Sequence, residues 1–231
     1  MKTIGLIGGM SWESSLVYYR LINEDVKARL GGLHSAKCLM YSVDFAEIEP
    51  LQHGGRWNEA TERMIEVARH VEDGGADFLL LCTNTMHKTA DEIDRHVQIP
   101  LLHIADCTAE AVKRQGINKV GLLGTKFTME DDFYRGHLIE KHGLAVIIPK
   151  EEERQTIHRV IYDELCRGEI KKRSEEQYRS VIENLIGRGA DGIILGCTEI
   201  GLLVGNEDSE VPLFDTTRIH AEAAVEYALE R

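Results

Sequence analysis

Short runs of apolar residues alternate along the chain with segments whose apolar residues recur at helical spacing. Apolar runs bounded by Gly or Pro predict buried strands, and the helical spacing predicts amphipathic helices. Their regular alternation is typical of βαβ units, so the pattern predicts an α/β fold with parallel sheets. The predicted strands cover residues 2–7, 38–45, 77–82, 100–104, 119–123, 144–148, 191–195 and 211–214. The predicted helices cover residues 57–73, 86–96, 106–115, 130–142, 152–167 and 174–188.

Three segments of the first half recur, in the same order, in the second half. The matched segments are 4–8 with 120–124, 75–83 with 189–197, and 99–112 with 211–224. A repeat of this period is much longer than the unit of a solenoid. It predicts two homologous open parallel-sheet domains, one made of residues 1–103 with 215–231 and the other of residues 104–214.

Two such halves are expected to be related by a pseudo-twofold axis, with the site in the cleft between them. Ligands of open parallel sheets bind outside the carboxyl ends of the strands. The segments that follow the strands are therefore the candidate ligand-binding loops. They comprise residues 8–14, 46–56, 83–87, 124–129, 197–201 and 215–219.

Two of these loops carry polar side chains at equivalent positions of the repeat. Thr83 corresponds to Cys197, and the pair that follows Thr83 corresponds to the pair that follows Cys197. Polar groups and backbone N–H groups at such loop starts can converge on an anion. Either a loop or a helix begins after Gly196, and a helix N-terminus there would favour the thiolate form of Cys197. Cys82 should point away from Thr83, because strand neighbours face opposite sides, and we expect it to be a buried thiol.

Residues 81–87 (Leu-Cys-Thr-Asn-Thr-Met-His) and 195–199 (Leu-Gly-Cys-Thr-Glu) resemble the paired signatures of the aspartate/glutamate racemase family. Residues 5–11 resemble that family's opening loop. The resemblance covers essentially the whole chain and favours the bacterial subgroup of L-aspartate/glutamate-specific or broad-specificity amino-acid racemases. It implies a homodimeric enzyme that needs no cofactor and has its site between two α/β domains.

The resemblance also implies a two-base mechanism, in which one residue removes the α-proton and its partner protonates the opposite face. Most of the family use two cysteines, whereas this chain has Thr83 at the first position. A thiol is far more acidic than a hydroxyl, so we expect Cys197 to be the base and Thr83 a proton donor or relay. The preferred substrates are then expected to be L-aspartate and L-glutamate.

Further residues of these loops are expected to bind the substrate. Hydrogen bonds to the α-carboxylate would stabilise the carbanion without pyridoxal phosphate. Glu199 would either receive the substrate ammonium or tune Cys197, and Thr125 and Thr128 are weaker candidates for pocket residues. The expected binding residues are Met10, Ser11, Gln52, Asn84, Thr85, Thr198 and Glu199.

Alternative functions remain open at the level of sequence. Arg56 or Lys126 in the pocket would favour dicarboxylic substrates, whereas Gln52 alone would favour a broad-specificity racemase that accepts neutral amino acids such as homoserine. The loss of one cysteine also fits a one-thiol malonate decarboxylase or maleate isomerase. A binding protein that retains an amino-acid cleft is a third class.

Composition and the pattern of the first residues indicate which partners and which cellular location to expect. The 27 basic and 39 acidic residues give a net charge of −12, which disfavours non-specific binding to nucleic acid. Residues 1–9 have the pattern of a strand and turn rather than a signal peptide, and no apolar run is long enough to span a membrane, so a cytoplasmic protein is expected. The five cysteines are then expected to be thiols.

Three local patterns call for a structural explanation rather than a cofactor. Residues 5–9 lack the GxGxxG spacing, so no NAD site is predicted. His103, Asp106 and Cys107 match no standard zinc motif, so no metal site is predicted. His87 either caps and orients the 83–87 loop or is a solvated helix residue.

Overall fold

The computed structural model describes residues 1–230, which divide into two compact units. Unit 1 consists of Met1–Ile104 together with the segment from His220 onward, and unit 2 consists of Ala105–Ile219. The chain therefore leaves unit 1 after Ile104 and returns to it at His220.

The described strands form two sheets, one in each unit, in which all pairing is parallel. The strands are β1 (Ile4–Gly8), β2 (Cys38–Ser42), β3 (Phe78–Leu81), β4 (Lys119–Gly124), β5 (Ala145–Ile147), β6 (Gly192–Gly196) and β7 (Leu213–Asp215). The order is β2-β1-β3 in unit 1 and β5-β4-β6-β7 in unit 2. The predicted α/β class with two parallel sheets is confirmed.

Ten α-helices of the described residues connect these strands or flank them. They are α1 (Trp12–Leu30), α2 (Phe45–His53), α3 (Trp57–Asp73), α4 (Ala90–Asp94), α5 (Ile104–Arg114), α6 (Lys126–Glu130), α7 (Arg135–Glu140), α8 (Glu151–Asp163), α9 (Lys172–Gly187) and α10 (Thr216–Leu229). Within residues 1–230, no helix has both the length and the apolar character that crossing a bilayer requires.

The strand register bears out the internal repeat. β1 and β4 are both central strands, and each pairs with the strand that carries the second repeated segment. Ile4 lies opposite Phe78 in unit 1, and Val120 lies opposite Gly192 in unit 2. The repeat aligns Ile4 with Val120 and Phe78 with Gly192, so the paired residues are equivalent in the two sheets. Thr83 and Cys197 therefore follow equivalent strands at equivalent positions.

Strands β1 and β3 of unit 1 are buried on both faces, which explains why neither contains a polar side chain, whereas the edge strand β2 is partly exposed. On one face Ile4 and Leu6 pack with α1 and with the part of α10 that belongs to unit 1. On the other face Ile7 packs with Leu79 and Leu81 against α3. Polar side chains that can take part in a reaction are therefore found where these strands end.

Two of the predicted segments are wrong. Residues 100–104 make only an isolated bridge between Leu79 and Leu101, because the chain turns into α5 at Ile104. Residues 46–56 are not a loop, because the carboxylate of Asp44 accepts the Ala46 N–H (3.0 Å) and starts α2.

Other helix predictions need new boundaries. Residues 130–142 are not one helix, since Thr125 caps the earlier start of α6 and a separate helix, α7, follows. Residues 86–96 form a 3₁₀ turn and then the short α4. Helices α1 and α10 were absent from the predicted set, and they occupy parts of the predicted loops 8–14 and 215–219.

The approach of β4 to β6 makes Gly124→Ala destabilising. Gly124 is paired with Gly196, and a Cβ at position 124 would lie 2.8 Å from the Gly196 carbonyl oxygen. Because that obstacle is backbone, we expect a loss of about 1–3 kcal/mol in the free energy of unfolding, measured by urea denaturation. The matched control is Gly187→Ala at the exposed end of α9, where a Cβ meets nothing within 4 Å. It should be neutral or stabilising by up to about 1 kcal/mol, and equal effects of the two variants would contradict the packing argument.

Candidate active site

The first polar loop follows β3 and is buried. The Cys82 N–H donates to the Ile7 carbonyl (2.9 Å), which extends the pairing of β3 with β1 to the edge of the loop. Thr83 comes next and is 6% exposed, and Asn84 and Thr85 are also buried. A 3₁₀ turn, Thr85–Thr89, then leads into α4. Unit 1 therefore brings the predicted residues Thr83, Asn84 and Thr85 together.

Cys82 is buried as expected and faces the core. It packs in the cluster that contains Phe78, Leu80 and Tyr18. Burial raises its pKa. Cys82 therefore offers no thiolate to the loop that starts at Thr83.

His87 is 3% exposed, so the solvated alternative is excluded. Its Nδ1 lies 2.7 Å from the Thr83 carbonyl oxygen, and its Nε2 accepts a hydrogen bond from the Ile104 N–H (3.2 Å). The imidazole thus orients the loop, as the first alternative proposed. The contact with Ile104 was not foreseen, because 17 residues separate the two partners and no local pattern connects them.

The second polar loop follows β6 in unit 2. Cys197 is 8% exposed, and Thr198 and Glu199 are buried beside it. The first residues of α10 brace this loop: Thr216 Oγ1 donates to the Leu195 carbonyl (2.8 Å), and Thr217 Oγ1 donates to the Thr198 carbonyl (3.4 Å). Sequence reasoning missed these two threonines, whose role depends on where α10 starts.

Cys197 and Glu199 form a hydrogen-bonded pair. The Cys197 Sγ–H donates to Glu199 Oε2 (2.9 Å), and the Thr198 hydroxyl donates to the same oxygen (2.8 Å). Glu199 is 1% exposed, so its carboxylate acts on the thiol with little screening by water. The geometry thus places the Glu199 carboxylate directly against the Cys197 thiol.

Of the two alternatives for the segment after Gly196, the structure has the loop, so no helix N-terminus favours the thiolate of Cys197. The loop continues into a three-residue 3₁₀ turn, Ile200–Leu202, rather than an α-helix. Burial and the nearby Glu199 charge raise the pKa of Cys197 well above its usual range. The resting group is therefore a thiol whose proton points at a carboxylate.

The opening loop and α2 supply further buried residues of unit 1. Met10 and Ser11 are buried, and the Ser11 hydroxyl caps α1 by accepting the Ser14 N–H (3.3 Å). Gln52 lies on α2 instead of in a loop, and its Nε2 donates to Met86 Sδ (3.1 Å). That contact brings Gln52 to the loop of Thr83.

The weaker candidates Thr125 and Thr128 lie at the carboxyl end of β4. Both are buried, and Thr125 Oγ1 accepts the Thr128 N–H (3.2 Å) as the N-cap of α6. Since Gly124 is paired with Gly196, these hydroxyls and Cys197 follow neighbouring strands at one edge of the unit 2 sheet.

Asp106, which was considered as a metal ligand, is engaged by basic side chains of unit 2. Its Oδ1 lies 2.6 Å from Nε2 of both His137 and His142, and its Oδ2 accepts from Lys141 Nζ (2.7 Å). The carboxylate thus has three donors of its own unit, which come from 31–36 residues away in the chain and leave no local motif.

Solved structures resemble the chain over its whole length. A candidate Asp/Glu racemase from Yersinia pestis is 56% identical with a TM-score of 0.92, and both chains are covered completely. An aspartate racemase homologue from Pyrococcus horikoshii is 35% identical with a TM-score of 0.85, again over 100% of both chains.

The sequence comparisons agree with this structural likeness. The broad-specificity amino-acid racemase RacX of Bacillus subtilis is 25% identical over 231 residues, which cover 96% of each chain. The sequence profile of the Asp/Glu/Hydantoin racemase family matches residues 7–224. The chain therefore belongs to the Asp/Glu/Hydantoin racemase family, and its relatives named as racemases are isomerases.

Proposed function

We propose that this protein is an amino-acid racemase that needs no cofactor, in which Cys197 and Thr83 serve opposite faces of the substrate α-carbon. The hydrogen bond from the Cys197 thiol to Glu199 is the observation that carries the proposal, because it joins a potential base to a buried proton acceptor. The equivalent strand positions of Thr83 and Cys197 add the expectation of a two-sided site.

On the Cys197 side, Glu199 takes the thiol proton and the resulting thiolate removes the α-hydrogen of the L enantiomer. A raised thiol pKa lowers the fraction of thiolate at neutral pH, and an adjacent carboxylate compensates by accepting the proton locally. The thiolate that forms is a stronger base than an ordinary cysteine thiolate. This suits the removal of a weakly acidic α-proton.

On the Thr83 side, the hydroxyl delivers a proton to the opposite face of the carbanion and is reprotonated through water. Glu199 releases to water the proton that it took from the thiol, so both loops return to their starting protonation states. A hydroxyl is a weak base, so the reverse removal of a proton at this face is the harder step. The substrate carboxylate would be held by Asn84, Thr85 and Thr198, whose side chains are buried at the two loops. The single hydroxyl hydrogen of Thr198 would turn from Glu199 to the substrate when Glu199 takes the thiol proton and no longer accepts it. Their hydrogen bonds would stabilise the negative charge that develops at the α-carbon.

Two substrate ranges fit this site. L-aspartate and L-glutamate follow from the resemblance to racemases of acidic amino acids. A broad range that includes neutral amino acids is favoured because the two candidate cations already lie next to carboxylates of this chain. Arg56 is paired with Glu59, and Lys126 Nζ is 4.0 Å from Glu130. Gln52, in contrast, is buried and touches the Thr83 loop through Met86.

Cys197→Ala should abolish α-proton exchange while the protein stays folded. Exchange in D₂O, followed by NMR on the separate enantiomers of aspartate, glutamate and homoserine, should fall by at least about 10²-fold. Cys38→Ser, in the edge strand β2, is the thiol control and should retain activity.

An active and folded Cys197→Ala variant would exclude Cys197 as the base. Exchange with homoserine as fast as with aspartate in the wild type would establish the broad range. Loss of CO₂ from a substituted malonate without α-proton exchange would identify a one-thiol decarboxylase instead of a racemase. Binding of amino acids without any turnover would indicate an amino-acid-binding protein.

Thr83→Cys should restore a second thiol and accelerate exchange at the D enantiomer by at least about tenfold. Because the racemisation equilibrium constant is one, kcat/KM must stay equal in the two directions. The asymmetry is therefore measured as deuterium incorporation into unreacted L and D substrate. Thr83→Val, which removes the hydroxyl at similar volume, should suppress the D-side exchange; wild-type rates in this variant would show that position 83 transfers no proton.

Glu199→Gln should lower both the thiol pKa and the rate. The carboxylate charge and its hydrogen bond favour the protonated thiol, so an amide at position 199 moves the pKa of Cys197 down and increases its thiolate fraction at neutral pH. Turnover should nevertheless fall by about 10²-fold, because the proton acceptor is lost.

The two effects are measured separately. Thiolate absorbance across a pH titration reports the pKa, with Cys197→Ala as the blank, and α-proton exchange reports turnover. An unchanged rate combined with a lowered pKa would mean that Glu199 only perturbs the thiol and accepts no proton.

A further inference from the structure

His87 uses both nitrogens of its buried imidazole to join two separate parts of unit 1. Nδ1 faces the Thr83 carbonyl oxygen at 2.7 Å, and Nε2 faces the Ile104 N–H at 3.2 Å. A carbonyl can only accept, so Nδ1 carries the hydrogen. A backbone N–H can only donate, so Nε2 presents its lone pair. The two partners together require the neutral Nδ1–H tautomer.

Both hydrogen-bond partners of His87 lie at positions that determine the local course of the chain. Ile104 is the first residue of α5 and the last residue of unit 1 before the chain enters unit 2. The first N–H groups of a helix have no intrahelical acceptor, and His87 supplies one. The carbonyl of Thr83 belongs to the peptide that leads into Asn84, so its direction sets the course of the loop.

A second buried histidine, His220, contacts the segment just before α5 and provides a comparison. His220 Nε2 donates to the Leu102 carbonyl (2.8 Å), and its Nδ1 accepts from the Tyr18 hydroxyl (2.9 Å). Burial lowers the pKa of His220 to about 4, so it is neutral near pH 7. The ring centroids of His220 and His87 are 5.9 Å apart. Neither of the two hydrogen bonds described for the His220 ring nitrogens reaches the loop of Thr83.

We propose that His87 is a positioning residue for the Thr83 side of the reaction, holding the Thr83 peptide in place by anchoring it to the start of α5. The proposal rests on the proposed function, since it concerns how the Thr83 hydroxyl reaches the substrate. A proton donor works only within a narrow range of positions, and a shift of about 1 Å can reduce the rate by about 10²-fold. The tie to a helix end supplies the rigidity that a polar loop lacks.

Two conservative variants separate the two hydrogen bonds. The side-chain amide of Asn lies as many bonds from the backbone as Nδ1, so His87→Asn keeps a donor for Thr83 and loses the acceptor for Ile104. The amide of Gln lies as many bonds away as Nε2, so His87→Gln keeps an acceptor for Ile104 and loses the donor for Thr83. A residue that merely fills the core would respond to both changes alike.

The experiment compares α-proton exchange and thermal stability in both variants. His87→Gln should lower kcat for exchange at the D enantiomer by about tenfold relative to the L enantiomer, with KM unchanged. His87→Asn should recover most of that exchange and instead lower Tm by about 2–4 °C, as expected for the loss of one helix cap. His220→Asn, which loses only the contact with Leu102, is the matched control and should lower Tm without changing the ratio of D to L exchange.

The tautomer is tested independently of activity, by long-range ¹⁵N NMR of the wild-type imidazole. A protonated Nδ1 and a bare Nε2 are expected, and the reverse tautomer or a ring protonated at neutral pH would overturn the proposal. Equal D and L losses in His87→Gln would overturn it as well. A wild-type protein that exchanges no α-proton would refute the proposed function instead, and the NMR result would then decide whether the tie between Thr83 and Ile104 exists.

Discussion

Parallel pairing between a central strand and its neighbour is the constraint on which the rest of the molecule depends. β1 pairs with β3 and β4 pairs with β6 in the same relative register. Parallel strands end at the same edge, so each pairing brings two loop starts together in its own unit. Since β1 and β3 are covered on both faces, polar side chains next to these two strands are found beyond their ends. The approach of Gly124 to the Gly196 carbonyl shows how little room this arrangement leaves before the loop of Cys197 begins.

The same repeated scaffold carries different chemistry in its two copies. In unit 2 a thiol is paired with a buried carboxylate, whereas in unit 1 a hydroxyl residue is tied through its backbone to an imidazole. Neither pair depends on the side chain of the other, so the two loops can diverge while the strands stay equivalent. Thr83 in one loop and Cys197 in the other therefore give the two copies different chemistry on the same strand arrangement.

Much of the fold could be predicted from the sequence, because buried strands are continuous apolar runs and the repeat fixes their correspondence. Helix α2 was not predicted. It contains Pro50, which is unfavourable in a helix interior, and it starts at a cap formed by the Asp44 side chain. The strand predicted at 100–104 is reduced to one bridge because Ile104 begins α5 and its N–H donates to His87 Nε2 instead of to the sheet. The polar residues of the two loops could be listed from motifs, but the contacts of His87 and Asp106 join distant segments that no local pattern connects.

The environment of Cys197 could not be predicted from a motif because two effects compete there. A helix N-terminus would have stabilised the thiolate, but the three-residue turn supplies no such field, and burial with a neighbouring carboxylate acts in the opposite direction. A buried carboxylate is costly unless it is hydrogen-bonded, and Glu199 obtains its two described donors from Cys197 and Thr198. Moving the proton from sulfur to Glu199 removes the carboxylate charge as the thiolate charge appears, so the pair keeps one negative charge throughout. The proposed mechanism therefore forms a strong base without adding charge to the buried pair, which a lone thiol in the same position could not do.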